Sequence, residues 1–131
     1  MATRPLLLVL ATCALAGCGE SGPSDEQQIR SALAEFERAT AAHDYGALCD
    51  RVLAPELVET VSQVGLTCEL ALQKGFEDVE DPHLTVGAVT VRDNSATAEV
   101  RSSAAGQAPS EDTVTLVRLG DGWRIASLGS P

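Results

Sequence analysis

The chain has 131 residues, with 9 basic and 19 acidic side chains and a formal net charge of −10 at pH 7. This length provides the hydrophobic core of one domain rather than two. An acidic surface repels nucleic acid and anionic lipid headgroups, which argues against a nucleic-acid partner. Aromatic residues make up 3% of the chain, too few for the stacking platforms that bind bases or sugars. We therefore expect a single acidic domain that binds no nucleic acid.

The first 17 residues are typical of a secretory signal peptide. One basic residue, Arg4, precedes an apolar run over 5–18. This run is shorter than the roughly 20 residues that span a bilayer as a helix. A basic start, a short apolar core and small residues before the cut favour removal of 1–17. The alternative, a hydrophobic helix of the folded domain, conflicts with the lack of helical periodicity and with the polar spacer that follows.

The residues at the predicted cut indicate an anchor. Leu15-Ala16-Gly17-Cys18 resembles the lipobox of bacterial lipoproteins, in which a branched apolar residue and two small residues precede the acceptor cysteine. The resemblance implies that the Cys18 thiol receives a diacylglycerol and that the new amino terminus is often acylated. Two buried acyl chains give stable attachment. We expect lipid on Cys18 to hold the protein on the extracytoplasmic face of a bacterial cell membrane, with 18–24 as lipidated cysteine and flexible tether.

The remaining cysteines form a pair. Cys13 lies in the predicted signal peptide and Cys18 would carry lipid, which leaves Cys49 and Cys68. An even pair in an oxidising compartment favours a disulfide bond, although two buried free thiols would satisfy the same pattern. The sequence has no Cys-x-x-Cys spacing, which excludes that redox motif and a zinc ribbon. We expect a Cys49–Cys68 bridge, no metal and no other cofactor.

Residues 25–131 are predicted to form one α+β domain that begins with helices. Ser24 and Gln27 match a capping box, which predicts a first helix to about Ala42 with Ile29, Leu33, Phe36 and Thr40 on one face. Three shorter helices are predicted next. The second helix is capped by Asp44 and has Leu48, Cys49 and Val52 on its inner face, and the third begins at Pro55 and has Leu57, Val58, Val61 and Val64 on its inner face. The fourth is capped by Thr67, runs from Cys68 to Lys74 and ends at Gly75.

From residue 84 the apolar period changes from 3.6 to 2, which predicts strands. The alternation shifts by one residue at Gly87-Ala88, so we expect a β-bulge there. Turns are predicted at 93–95 and 120–122, with a longer loop over 102–110. Helices followed by an antiparallel meander of about four strands are typical of an α+β fold.

The ending "VRLGDGWRI", with the amphipathic first helix and the segment Asp44–Cys49, resembles small secreted members of the nuclear-transport-factor-like superfamily (SnoaL-like, cystatin-like). The resemblance covers about residues 25–128. It implies helices packed on a strongly curved sheet, in a cone whose mouth can hold a small ligand. It also leaves open a homodimer through the sheet, which is common among such proteins. Members include enzymes, carriers and proteins without a known ligand, so the fold does not decide the function.

The candidate catalytic groups are few. His43 lies at the end of the first helix and His83 follows Pro82, but neither has the spacing of a metal-binding motif. The acidic stretch 77–81 lacks an EF-hand pattern and indicates a solvated loop. The inward strand positions carry Val, Ala, Leu, Ile and Trp, which favours a protein without catalytic residues.

The sequence therefore predicts a non-enzymatic, lipid-anchored extracytoplasmic protein that binds a small apolar ligand in the cone or an envelope protein across the sheet. The expected cavity lining is Leu33, Phe36, Leu48, Val89, Ala98 and Trp123. Two alternatives stay open. One is a SnoaL-like isomerase or hydrolase that uses His43, Asp44 or Tyr45. The other is a structural envelope protein without a ligand.

Overall fold

The computed structural model describes residues 22–120 and 122–129, so the predicted signal peptide, the lipobox and Cys18 lie outside the described residues. Helices precede strands, as predicted. The helices are α1 (Asp25–Ala41), α2 (Tyr45–Ala47), a π-helix (Leu48–Val52), α3 (Pro55–Ser62) and α4 (Cys68–Gly75), and the strands are β1 (His83–Arg92), β2 (Ser95–Ser103), β3 (Ser110–Leu119) and β4 (Gly122–Ser127). Within the described ranges, no helix is both long and apolar enough to cross a bilayer.

The predicted capping box starts α1. Ser24 Oγ accepts the Gln27 N–H at 3.2 Å, and Gln27 Oε1 accepts the Ser24 N–H at 2.9 Å. These two bonds satisfy donors that the first turn of a helix leaves without a partner. Ile29 and Leu33 are buried on the inner face of the helix. The prediction for this helix is confirmed.

The start of α1 is fastened to the β3–β4 hairpin. Asp25 Oδ2 accepts a hydrogen bond from Arg118 Nη2 at 2.7 Å, and Asp25 Oδ1 accepts one from Trp123 Nε1 at 3.3 Å. The Arg118 guanidinium lies 4.8 Å from the centre of the Trp123 ring, in cation–π geometry. The hydrogen bond from Arg118 lowers the pKa of the Asp25 carboxyl from its ordinary value. Through these contacts, the start of α1 lies beside the connection between β3 and β4.

The second predicted helix is shorter than expected and changes type. Asp44 Oδ1 caps α2 by accepting the Ala47 N–H at 3.0 Å. The chain then widens into the π-helix, which ends with a Leu53 N–H to Leu48 C=O bond of 2.8 Å. Leu53 next pairs with Ile125 in an isolated parallel bridge. The π-helix thus connects the helical half of the molecule to the last strand.

The prediction for the third helix is partly wrong. α3 ends at Ser62, so Val64 lies beyond it and is 73% exposed, and no residue of α3 is fully buried. The apolar period continues to Val64, two residues beyond the end of the helix. The chain turns there instead, and Gly65 in this turn has a φ of +83°, which favours glycine. For α4 the prediction is confirmed, because Thr67 Oγ1 accepts the Leu70 N–H at 3.3 Å.

The disulfide bond between Cys49 and Cys68 is present, with a Cα–Cα distance of 6.1 Å. This confirms the bond that the cysteine count favoured over two free thiols. It joins the π-helix to the first turn of α4. The bridge therefore fixes the position of α4 against the centre of the helical layer.

The four strands form one antiparallel sheet in the order β1-β2-β3-β4. The register of β1 shifts between Val86 and Val89, which confirms the predicted bulge. Arg30 of α1 donates to the carbonyl groups of Val86 at 3.0 Å and Gly87 at 2.9 Å, and so satisfies acceptors at the bulge. The loop predicted over 102–110 is shorter, because β2 continues to Ser103 and β3 begins at Ser110.

Candidate functional site

A cavity of about 230 Å³ lies between the C-terminal half of α1, the chain after α4 and the sheet. Its apolar lining includes Leu33, Phe36, Phe76, Val79, Leu84, Val100, Val114, Ile125 and Leu128. The Phe36 and Phe76 rings meet edge to face, with centroids 6.0 Å apart. In another protein, an apolar cavity of about 150 Å³ is enough to bind benzene. The space is therefore sufficient for a small organic molecule.

Polar side chains line part of the same cavity: Glu37, Thr40, His83, Ser102, Ser103, Gln107, Ser110 and Asp112. Ser110 Oγ donates to Asp112 Oδ2 at 3.1 Å, and Ser102 Oγ lies 2.8 Å from Ser110 Oγ. Because the Ser110 proton is directed at the carboxylate, Ser102 is the donor to Ser110. These bonds form a chain of hydroxyl groups that ends on a carboxylate.

The second carboxylate of the cavity connects α1 to the sheet. Glu37 Oε2 accepts the backbone N–H of Leu84 at 2.5 Å. Among the ion pairs between described residues, none includes Glu37 or Asp112. The described lining contains no lysine or arginine. The cavity thus combines apolar walls with two carboxylates that have no cationic partner among these residues.

The structure separates the six residues that we expected to line a cavity. Leu33 and Phe36 do line it. The other four do not: Leu48, Ala98 and Trp123 are buried in the core, and Val89 is half-buried against that core. The sequence pattern identifies the inner face of each strand, but it does not show how closely the helices cover each end of that face.

The three residues of the catalytic alternative lie outside the cavity. Asp44 is used to cap α2, and His43 is exposed with a left-handed φ of +55°. The Tyr45 ring stacks on His43 with centroids 6.0 Å apart. His83, the other histidine among the candidate catalytic groups, does line the cavity.

Sequence reasoning missed the polar lining, although the pattern held a signal for it. Ser110 and Asp112 share the strand parity of the buried residues Val114 and Leu116, so they belong to the inner face. Ser102 continues the same parity beyond Val100 on β2. Only the apolar inward positions of the strands were assigned to the cavity lining, so the polar positions Ser102, Ser110 and Asp112 were omitted.

The acidic stretch 77–81 borders the cavity as a packed loop. The Ala105 N–H donates to the Glu80 carbonyl at 2.8 Å, and Gln107 Nε2 donates to the Asp78 carbonyl at 2.9 Å. Within residues 22–120 and 122–129, no three His, Cys, Asp or Glu side chains come together as a metal site. These two hydrogen bonds hold the backbone of the acidic loop against the connection between β2 and β3.

Solved structures resemble this arrangement of helices and sheet. An NTF2-like protein of unknown function from Silicibacter pomeroyi DSS-3 is 19% identical with a TM-score of 0.55, over 76% of this chain and 88% of that one. The chain has an NTF2-like fold. A de novo designed protein of this fold is 18% identical with a TM-score of 0.55, over 85% of this chain and 90% of the designed one. The cone-shaped α+β fold expected from the sequence is confirmed.

A third similar structure is a candidate dehydratase of the NTF2-like family from Streptomyces avermitilis. It is 14% identical with a TM-score of 0.51, over 77% of this chain and 90% of that one. Identities this low show a shared fold and carry no activity from one protein to another. No family model matches the chain, and no curated protein matches it.

Proposed function

We propose that this protein is a lipid-anchored binding protein of the bacterial envelope that holds a small ligand in the cavity between α1 and the sheet. The cavity is the observation that supports this function. Ligand sites are concave and mostly apolar, with a few polar groups that orient the ligand. Leu33, Val100 and Val114 provide such apolar walls, and Ser102 and Asp112 provide polar groups.

Val100 and Val114 contribute apolar surface to the lining of the cavity. A ligand that covers this surface removes it from water, which favours binding. Larger side chains at these two positions would fill the space that the ligand needs.

The anchor is proposed from the lipobox-like sequence alone. Seven residues, 18–24, separate the proposed lipid from α1, and they reach at most about 25 Å when extended. They join α1 beside Arg118 and Trp123, whereas the cavity lies at the C-terminal half of that helix. The proposed anchor and the cavity therefore lie at opposite ends of α1.

Native mass spectrometry of the whole protein, extracted gently in detergent from its own membrane, tests both parts of the proposal. We expect the mass of a lipid-modified chain that starts at Cys18, plus the mass of a bound small molecule. A bare lipidated mass would contradict the ligand and favour an envelope protein as partner. A chain that starts at Met1 would contradict the anchor, and a doubled mass would reveal a homodimer.

A matched pair of variants isolates the anchor. Cys18→Ser removes the proposed acceptor thiol, so the protein should leave the membrane fraction. Cys13→Ser changes the other cysteine of the N-terminal segment and should leave the protein membrane-bound and lipidated. Release of both variants, or of neither, would contradict the assignment of Cys18.

A further inference from the structure

We infer that the ligand is a small ammonium compound with an apolar body, and that Asp112 selects its charge. The inference rests on the proposed ligand-binding function and adds the chemical class of the ligand. It follows from the charges that face the cavity, from the position of Asp112 and from the bonds that hold its carboxylate.

The charges around the cavity exclude an anionic ligand. Glu37 and Asp112 both line the space, and the described lining offers no lysine or arginine to bind a carboxylate or a phosphate. His83 is the only side chain of this lining that can carry a positive charge, and it is exposed to solvent. An anion would therefore meet two like charges, whereas an ammonium group would meet opposite ones.

Asp112 lies where apolar wall and polar group meet. It pairs with Val100 in the register of β2 and β3, and Val114 follows two residues later on the same face. All three residues line the cavity. A ligand whose apolar body contacts the two valines would place its polar end beside the Asp112 carboxylate.

The Asp112 carboxylate is held in position before any ligand arrives. Oδ2 accepts the Ser110 hydroxyl, which in turn accepts from Ser102. A β-carbon at position 129 would lie only 3.1 Å from Oδ1, so the close approach of this chain segment requires Gly129, whose φ is +130°. A carboxylate accepts about four hydrogen bonds, which leaves acceptor capacity for an ammonium group. Such preorganisation lowers the entropic cost of binding.

Of the two carboxylates, Glu37 contributes less to recognition of the ligand than Asp112 does. One of its oxygens is bound to the backbone N–H of Leu84 and so fastens α1 to β1. Gln at this position would keep an oxygen acceptor for that bond. We therefore expect Glu37→Gln to weaken ammonium binding less than Asp112→Asn does.

Three ligands of nearly equal shape test the inference: benzylamine, benzyl alcohol and benzoate, titrated at pH 7 by calorimetry. The protein is the chain from residue 18 with Cys18→Ser, which contains every described helix and strand and carries no lipid. Its circular dichroism must match that of the lipidated protein. We expect benzylamine to bind at least tenfold more tightly than benzyl alcohol, and benzoate to bind most weakly. A tenfold ratio equals about 1.4 kcal/mol.

Two variants on the same strand separate the local effect from the general charge of the protein. Asp112→Asn should reduce the advantage of benzylamine over benzyl alcohol to less than twofold and leave the affinity for the alcohol unchanged. Glu111→Gln removes the same charge from the outer face, where Glu111 pairs with Arg101 at 3.0 Å, and it should keep the full advantage.

The possible failures are distinguishable. Equal binding of amine and alcohol, tightest binding of benzoate, or an amine advantage that survives Asp112→Asn would overturn the ammonium inference while the cavity proposal stands. If none of the three compounds binds up to its solubility limit, both the inference and the cavity proposal are contradicted.

Discussion

The two ends of the cone use the same sheet face in different ways. At the closed end, which we define by Ile29, Leu48, Ala96, Leu116 and Trp123, the inner face is fully covered and these side chains are at most 6% exposed. At the open end, defined by Phe36, Leu84, Val100, Ser102 and Asp112, the same face borders the cavity. The strands alternate in the same way at both ends. The difference lies in the helical layer that covers them.

The contacts of α1 show how the difference arises. Its first turn is fastened to Arg118 and Trp123 at the closed end, and Arg30 is bound to the bulge of β1. Farther along, Glu37 accepts the backbone N–H of Leu84 on β1. The π-helix also reaches the sheet at Leu53, beside β4. Few elements remain to fill the space beside Val100, and a cavity results.

The largest expected effect comes from removing the disulfide bond between the π-helix and α4, the helix that leads into the open end. Cys49→Ala with Cys68→Ala removes a bridge of sequence separation 19, which should lower the free energy of unfolding by about 3 kcal/mol on the chain-entropy account. The loss should also loosen α4, which precedes the cavity residue Phe76. Urea denaturation of the Cys18→Ser chain, with and without the two alanine substitutions, measures this loss. The matched control is the same chain without the alanine substitutions, reduced by dithiothreitol. A loss below 1 kcal/mol would contradict this role.

The second prediction compares the two ends directly by adding volume on one strand face. Ala96→Leu at the closed end should lower the free energy of unfolding by about 2 to 3 kcal/mol, because overpacking a filled core forces strain. Val100→Leu, four residues away on the same face of β2, should cost less than about 1 kcal/mol because the added group enters the cavity. Urea denaturation of both variants measures the difference, and equal losses would contradict it.

The smallest effect concerns the contact that fastens the closed end. Arg118 lowers the pKa of Asp25 in the folded protein from the ordinary value of 3.8, so the ionised carboxylate favours the folded state. This stabilisation is fully present above about pH 4 and is lost as the pH falls through the lower, folded-state pKa. The midpoint of urea denaturation should therefore differ most between the parent and Asp25→Asn near neutral pH, and this difference should shrink below pH 3.8. A difference that is the same at pH 7 and pH 2.5 would contradict the Asp25–Arg118 interaction.

The sequence predicted most of the fold because the signals for it are local. The capping box at Ser24, the bulge at Gly87-Ala88 and the alternation of Val114 and Leu116 each follow from neighbouring residues. The π-helix was not predicted, since its hydrogen bonds skip one more residue than an α-helix and leave no distinct apolar period. The end of α3 was missed because the apolar spacing continues to Val64 after the helix stops.

The candidate site was predicted less well than the fold. The helical spacing of Leu48 and the strand alternation of Trp123 placed both in the predicted lining, although both belong to the closed end. Whether an inward residue meets a helix or open space depends on how the helices pack, which is a property of the tertiary structure. The alternation of side chains along β2 and β3 places Ser102 and Asp112 on the inner face. Both could therefore have been predicted as lining residues if polar inward positions had been included.

A methyl NMR titration with benzylamine, on the Cys18→Ser chain labelled at leucine and valine, tests directly whether the open end of the cone binds a ligand. We expect saturable shifts at the open end, for Leu33, Leu84, Val100, Val114 and Leu128, which all line the cavity. We expect no comparable shifts for Leu48, Leu53 and Leu116, which are buried in the core and are not part of the cavity lining. Saturable shifts confined to the closed-end methyl groups, or no saturable shift anywhere, would contradict the claim that the open end of the cone is a ligand site.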